Sequence, residues 1–130
     1  MRDVIVITGI GGMGMAIARR LGTGHSLVLA DQSLERLKEA VDTLQAAGYD
    51  VTPKQVDVSS SSSIHELAET ANNLGRIRAV IHTAGVSGAQ ADVRKVLEIN
   101  LLGTAMMLHT FESYACLLYT SDAADDLLCV

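Results

Sequence analysis

Apolar residues fall into two alternating rhythms along this chain. Val4–Thr8 is a β-branched run, apolar on both faces, as in a strand covered on both sides. Glycines follow, and then a helical stripe, Gly14, Ile17, Ala18 and Leu21, that Gly22 and Gly24 bring to an end. Ser26–Ala30 reads as a second strand, with Ser33 as the N-cap of a helix whose stripe is Leu34, Leu37, Val41 and Leu44 and which Gly48 stops. A third strand is predicted over about 51–58. It holds Pro53, the only proline in the chain, and proline cannot donate to a ladder, so this strand belongs at an edge.

The serine run Ser59–Ser63 reads as a loop ending in a capping box, with Ser63 and Glu66 spaced S-x-x-E. Ile64, Leu67, Ala68, Ala71 and Leu74 then form the buried stripe of the next helix, and His65 points away from it into solvent. Ile77–Thr83 is predicted as a fourth strand. One long helix is predicted from about Asp92, with the stripe Val93, Val96, Leu97, Asn100, Leu101, Thr104, Ala105 and Leu108 facing the core. Strands alternating with helices imply an α/β fold: a doubly wound parallel sheet of about four strands, order 3-2-1-4, with helices on both faces and right-handed crossovers.

Composition narrows the function. The 130 residues are 48% hydrophobic, 19% charged and only 3% aromatic, a globular composition with an aliphatic core. A formal net charge of −5 argues against a nucleic-acid partner. No apolar run approaches the roughly 20 residues a membrane span needs, so no membrane role is expected. The opening MRDVIVITG does not resemble a signal peptide, and a cytoplasmic location is the expectation. Residues 1–115 contain no cysteine, which leaves disulfides and cysteine–metal sites without support; no metal site is expected.

The strongest chemical signal is VIVITGIGGMGMAIARRLG. Gly9, Gly11 and Gly14 fit G-x-G-x-x-G between a predicted strand and a predicted helix. Glycines there permit a tight turn, let backbone N–H groups approach a diphosphate, and let helix and strand pack closely. The helix N-terminus adds a partial positive charge. Asp31 ends the second strand about 20 residues on, where an acid accepts hydrogen bonds from the adenosine ribose. The plain alternative is a glycine turn followed by a helix-capping aspartate. A carboxylate at that place suits a 2′-hydroxyl and repels a 2′-phosphate, so NAD is favoured over NADP. Arg19 and Arg20 lie beyond the first turn of their helix and read as a solvated face.

These motifs, together with VDV (56–58), HTAG (82–85) and EINLLG (98–103), resemble the N-terminal half of a short-chain dehydrogenase/reductase, over roughly residues 2–112. The resemblance implies a Rossmann-type domain, here incomplete, over residues 1–115. It implies hydride transfer between NAD and a small alcohol/ketone pair, and a full protein that is a homo-oligomer. It implies cofactor contacts from Gly9, Ile10, Gly11, Gly12, Met13 and Gly14 at the diphosphate, and from Asp31 and Gln32 at the ribose. Asp57 and Val58 would flank the adenine, and Thr83, Ala84 and Gly85 would lie near the nicotinamide ribose. Asn100 matches the asparagine of the family's Asn-Ser-Tyr-Lys tetrad, which organises a water-linked proton relay. Its place on the predicted apolar stripe independently suggests a buried amide needing partners. Two departures stand out. The glycines of TGIGGMG are one residue closer than the family's T-G-x-x-x-G-x-G, and His82-Thr83 replaces the usual Asn-Asn. His82 is read as structural rather than catalytic.

No tyrosine in the chain is followed four residues later by lysine, so the acid–base pair of the tetrad is missing. The closing stretch CLLYTSDAAD resembles one reading frame of a transposase mosaic-end sequencing adaptor. Residues 116–130 are therefore expected to be a non-native tail. The alternative is a divergent C-terminus whose Cys116–Leu118 supplies part of a fifth strand. With the catalytic half absent, little turnover and poor solubility are expected, with strand four left as an uncovered edge. Two other readings stay open: a non-catalytic NAD-binding or sensor module, and a Rossmann-like methyltransferase.

Overall fold

Alternate residues of the first strand serve two different cores. The computed structural model describes residues 2–115. In it, β1 (Asp3–Thr8) sends Val4 and Val6 to one face of the sheet and Ile5 and Ile7 to the other, all of them buried. After α1 (Gly12–Leu21), β2 (Ser26–Asp31) divides in the same way, with Val28 and Ala30 on one side and Leu27 and Leu29 on the other. The remaining elements are α2 (Leu34–Ala46), β3 (Asp50–Gln55), α3 (Ser61–Leu74), β4 (Arg76–His82), α4 (Val93–Val96), a π-helical stretch over Leu97–Leu102, and α5 (Gly103–Ala115).

The strands form one parallel sheet in the order β3-β2-β1-β4, as the sequence predicts. Helices α1 and α2 pack on the Ile5–Ile7 face through Ala18, Leu37, Val41 and Leu44. Helices α3 and α5 cover the Val4–Val6 face through Ile64, Leu67, Met107 and Phe111. Each fully buried aliphatic side chain of this kind contributes about 1.5–3 kcal/mol. Among the described residues β3 is an edge strand, and it carries Pro53, paired with Leu29 of β2. Among the described residues β4 pairs only with β1. A bulge at Val4/Ile5 skips Arg78 in that pairing, leaving the arginine exposed while Ile77 and Val80 keep to the α3–α5 core.

Several expectations need correction. β3 stops at Gln55, not Val58: Val56 still donates to Asp31 O, and then the Asp57 carboxylate accepts from Ser59 N and turns the chain away. The cap of α3 is Ser60, whose Oγ accepts from Ser63 N; Ser63 instead accepts from Asp57 N through its own Oγ. The stripes of α1, α2 and α3 hold at their centres and fail at their ends, where Leu21, Leu34 and Leu74 are exposed.

The largest correction is the last helix. It is not one α-helix but α4, a π-helical stretch and α5, and the π stretch changes which residues face the sheet. Ile99, Gly103, Met107, Thr110 and Phe111 are buried, while Val93, Leu97, Leu101 and Leu108 of the predicted stripe are exposed. Asn100 is exposed as well, not buried. Among the described residues no helix is long and apolar enough to cross a membrane. The predicted tail, 116–130, lies outside the described residues.

Candidate functional site

The C-terminal ends of β1, β2 and β4 converge on one groove, the usual place for a ligand in an open parallel sheet. Its volume is about 360 Å³, at the low end for small-molecule sites. It brings together Gly9, Gly11, Gly12, Met13 and Gly14 from the first loop, Asp31 and Gln32 from the end of β2, Asp57 and Val58 after β3, and Thr83, Ala84 and Gly85 after β4. Ile10 stands apart. Its side chain is buried, and it borders a hollow on the far side of the loop. Asn100 also stands outside the groove, in an adjoining recess that it shares with Ala84 and Gly85.

The glycines are not equivalent. Gly9 has φ of +81° and lies against the β4 loop so closely that a Cβ would stand 2.6 Å from Ala84 N. At Gly14 a Cβ would stand 1.9 Å from Gly9 O, so α1 and β1 approach only with glycine there. A Cβ on Gly12, by contrast, meets no atom within 4 Å. Thr83 fixes the turn: its Oγ1 donates to Thr8 O and Gly9 O, each at 2.7 Å.

Helix starts in this molecule are generally capped. Ser33, Ser60 and Asp92 accept from backbone N–H groups of α2, α3 and α4. Gly11, at the start of α1, has no side chain that can do so, and the first N–H groups of α1 face the groove uncapped. This is the arrangement that favours an anion.

Asp31 is buried, at 8% exposure, and its carboxylate is held by the backbone. Oδ2 accepts from Ile10 N at 3.1 Å and Oδ1 from Ser33 N at 2.9 Å. The acid therefore ties the glycine loop to the start of α2 and stays aimed along the groove edge. Arg36, on the first turn of α2, approaches Asp31 Oδ2 to 4.0 Å. Asp57 carries Ser59 Oγ and Ser59 N on its Oδ1, and these bonds hold its carboxyl below the usual carboxylate range.

Asn100 clips the loop after β4. Its Oδ1 accepts from Val86 N at 2.9 Å and its Nδ2 donates to Val86 O at 2.7 Å. Gly85 leaves room for this amide, since a Cβ there would stand 3.1 Å from Asn100 Oδ1. Gly103, three residues on, lets the helix approach the loop after β3, because a Cβ there would stand 2.9 Å from Val58 O. His82 is half-buried. Its Nδ1 is 2.5 Å from Thr8 Oγ1, its Nε2 is buried without a partner among the described residues, and burial pushes its pKa down. Among the described residues no His/Cys/Asp/Glu group has the makings of a metal site.

The sequence reading missed Arg36, Val86 and Gln90, which also border the groove. For Arg36 a signal existed: it lies five residues after the strand-ending acid, on the helix turn that faces the glycine loop.

Comparison with known proteins gives the same answer from outside. The short chain dehydrogenase family model matches residues 3–116. The chain is 37% identical over 110 residues to the short-chain dehydrogenase/reductase bsc3 of Alternaria brassicicola, covering 85% of this chain and 40% of that protein. It is 34% identical to the dehydrogenase/reductase SDR family member 4 of Oryctolagus cuniculus, covering 79% of this chain and 44% of the relative. Among solved structures, a short chain dehydrogenase/reductase from Burkholderia phymatum in complex with NAD superimposes with a TM-score of 0.80 at 31% identity, over 90% of this chain and 45% of that one. A variant of actinorhodin polyketide ketoreductase with NADPH superimposes with a TM-score of 0.78 at 28% identity, over 90% and 49%. The chain thus spans less than half the length of these relatives. A methyltransferase reading falls away, because match, fold and glycine loop all agree: this chain belongs to the short-chain dehydrogenase family.

Proposed function

We propose that this chain is the cofactor-holding half of an oxidoreductase that moves hydride between NAD and an alcohol/ketone pair. The observation that carries the proposal is the uncapped start of α1, set between two glycines that tolerate no Cβ and beside a backbone-held acid. A dinucleotide fits that donor set. The N–H groups opening α1 suit its diphosphate, and the fixed carboxylate of Asp31 suits a ribose hydroxyl.

When bound, the nicotinamide would supply the hydride chemistry. The protein's own residues hold and orient. Gly9, Gly11, Gly12, Met13 and Gly14 shape the diphosphate cradle, while Ile10 gives its amide to Asp31. Asp31 and Gln32 face the adenosine ribose, and Asp57 and Val58 border the adenine side. Thr83 locks the β4 loop to the glycine turn, so Ala84 and Gly85 can pass close to the second ribose. Asn100 is a positioning residue: by gripping both backbone groups of Val86 it fixes the loop that would flank the nicotinamide. Its part in a proton relay belongs to the same proposal.

NAD is preferred because Asp31 cannot swing aside for a 2′-phosphate. Residues 1–115 make up the cofactor unit, and residues 116–130 are no part of it. A 130-residue chain with no Tyr-x-x-x-Lys binds the dinucleotide but turns over little ketone, since general acid–base catalysis is worth about 10²–10⁴-fold. The test is calorimetric titration of NADH into the folded chain, followed by a ketone-dependent oxidation assay. Binding without turnover is expected. Absence of NADH binding overturns the proposal.

A further inference from the structure

Residues 1–115 contain no cysteine, so their only sulfur is methionine thioether, and the methionines differ in exposure. Met107 is buried, and Met15 and Met106 are partly buried against the two cores. Met13 is 69% exposed and, among the described residues, is the one methionine on the wall of the groove that would hold the dinucleotide. We propose that Met13 is a modification site: a peroxide oxidises its thioether to a sulfoxide, whose oxygen takes the free amides opening α1 and shuts the groove to the diphosphate. The inference rests on the dinucleotide reading above.

The step balances between the two reactants. The thioether sulfur attacks one oxygen of hydrogen peroxide, and the O–O bond breaks as the S–O bond forms. The departing hydroxide takes the proton of the transferred hydroxyl and leaves as water. Sulfur loses two electrons and the peroxide gains them. The product replaces a flexible apolar side chain by a polar, chiral one. Exposure decides which methionine reacts, because a thioether packed into a core is shielded from a dissolved oxidant.

Two features of the site give the new oxygen a place to go. The first is the lack of a protein acceptor: Gly11 offers no side chain, and the first turn of α1 holds no acid. The starts of α2, α3 and α4, by contrast, are already capped by Ser33, Ser60 and Asp92. The second is space. A Cβ on Gly12 meets no atom within 4 Å, and one on Gly11 meets only Arg36 Nη2, at 3.4 Å. Met13 is the second residue of α1. Its sulfoxide oxygen stands as many bonds from Cα as a glutamate carboxylate oxygen, and glutamate is the side chain that bonds back onto a helix start in a capping box. A thioether sulfur is only a weak acceptor, so the reduced side chain leaves the amides free. The competing account leaves the sulfoxide in water, and predicts oxidation without effect on cofactor binding.

The experiment treats the full chain with hydrogen peroxide, maps the oxidised methionines by mass spectrometry, and titrates NADH before and after. Met13 should oxidise ahead of Met15, Met106 and Met107, and NADH affinity should fall by about tenfold or more, the scale of one charged hydrogen bond. Methionine sulfoxide reductases, one for each sulfoxide epimer, should restore it. In Met13→Leu, peroxide should move the variant's own NADH affinity by less than about twofold. Met13→Gln places an amide oxygen at the reach of the sulfoxide oxygen, and should bind NADH more weakly than Met13→Leu with no oxidant present. Oxidation of Met13 with NADH affinity unchanged, the same peroxide-induced loss in Met13→Leu, or equal affinity in the Gln and Leu variants overturns the proposal. Failure of the untreated wild-type chain to bind NADH overturns the dinucleotide reading itself, and this proposal with it.

Discussion

Two of the strand–loop–helix units that border the groove, the first and the last, are built on opposite principles. In β1–α1 the loop is short and made of glycine, the helix start is uncapped, and two positions are so crowded that no side chain fits. In the β4–α5 crossover the loop is long, Asp92 caps the helix start, and the helix is broken by a π stretch. The first crossover exposes backbone to a ligand. The second uses a side chain, Asn100, to hold a loop in place. Affinity is therefore expected to reside in the first and orientation in the second.

Breaking the first should have the largest effect. Gly14→Ala places a methyl 1.9 Å from Gly9 O, and backbone against backbone cannot yield without moving α1. We expect a loss of about 1–3 kcal/mol or more in stability, and at least a tenfold loss of NADH affinity. Gly12→Ala, two residues away in the same motif, should leave the melting temperature unchanged, because its Cβ meets no protein atom within 4 Å. Thermal melts and calorimetry on the two variants check the contrast. Asp31→Ala comes next. It removes a charged acceptor at the ribose, worth about 1.5–3 kcal/mol, or roughly 10- to 150-fold in affinity. It also strands the amides of Ile10 and Ser33, so the melting temperature should fall.

Asn100→Ala should act differently. It frees both backbone groups of Val86, at about 1–3 kcal/mol locally, and the Val86 amide should exchange hydrogen much faster. NADH affinity should fall less than in Asp31→Ala. Unchanged exchange at Val86 would show that the side chain does not hold the loop.

The smallest effect is a pH dependence at the end of β4. Burial lowers the His82 pKa below its unfolded value, so the unfolded chain binds the extra proton first. Stability is thus fully present above about pH 6.5, the ordinary histidine pKa, and declines as pH falls from there through the folded pKa. His82→Phe, which keeps a ring against Thr8, should flatten that decline in melting temperature between neutral and mildly acid pH. The same slope in the variant would assign the effect elsewhere.

The same contrast decides what could be read from the sequence. The β1–α1–β2 region was legible because its physics is local: a β-branched run, glycines at fixed spacing, and an acid ending the next strand. The β4–α5 region was not. Leucines lie on two faces of that helix, and apolarity alone favoured Leu97, Leu101 and Leu108. The π stretch and the small Gly103 against Val58 turn Ile99, Met107 and Phe111 inward instead. Nothing in local propensity marks a π stretch. The serine run offered five chemically identical caps. Ser60 takes the role because Ser63 is already engaged by Asp57 N, a contact set by where β3 ends. Asn100 is singled out by its surrounding motif and not by burial, since it is exposed. Its amide is satisfied at the surface, by the N–H and C=O of Val86.

The most direct test of the account is a calorimetric titration of NADH into the folded chain, wild type beside Gly14→Ala. The account predicts one saturable site in the wild type, weakened at least tenfold in Gly14→Ala. No heat of binding in the wild type, or equal affinity in the two, would contradict it.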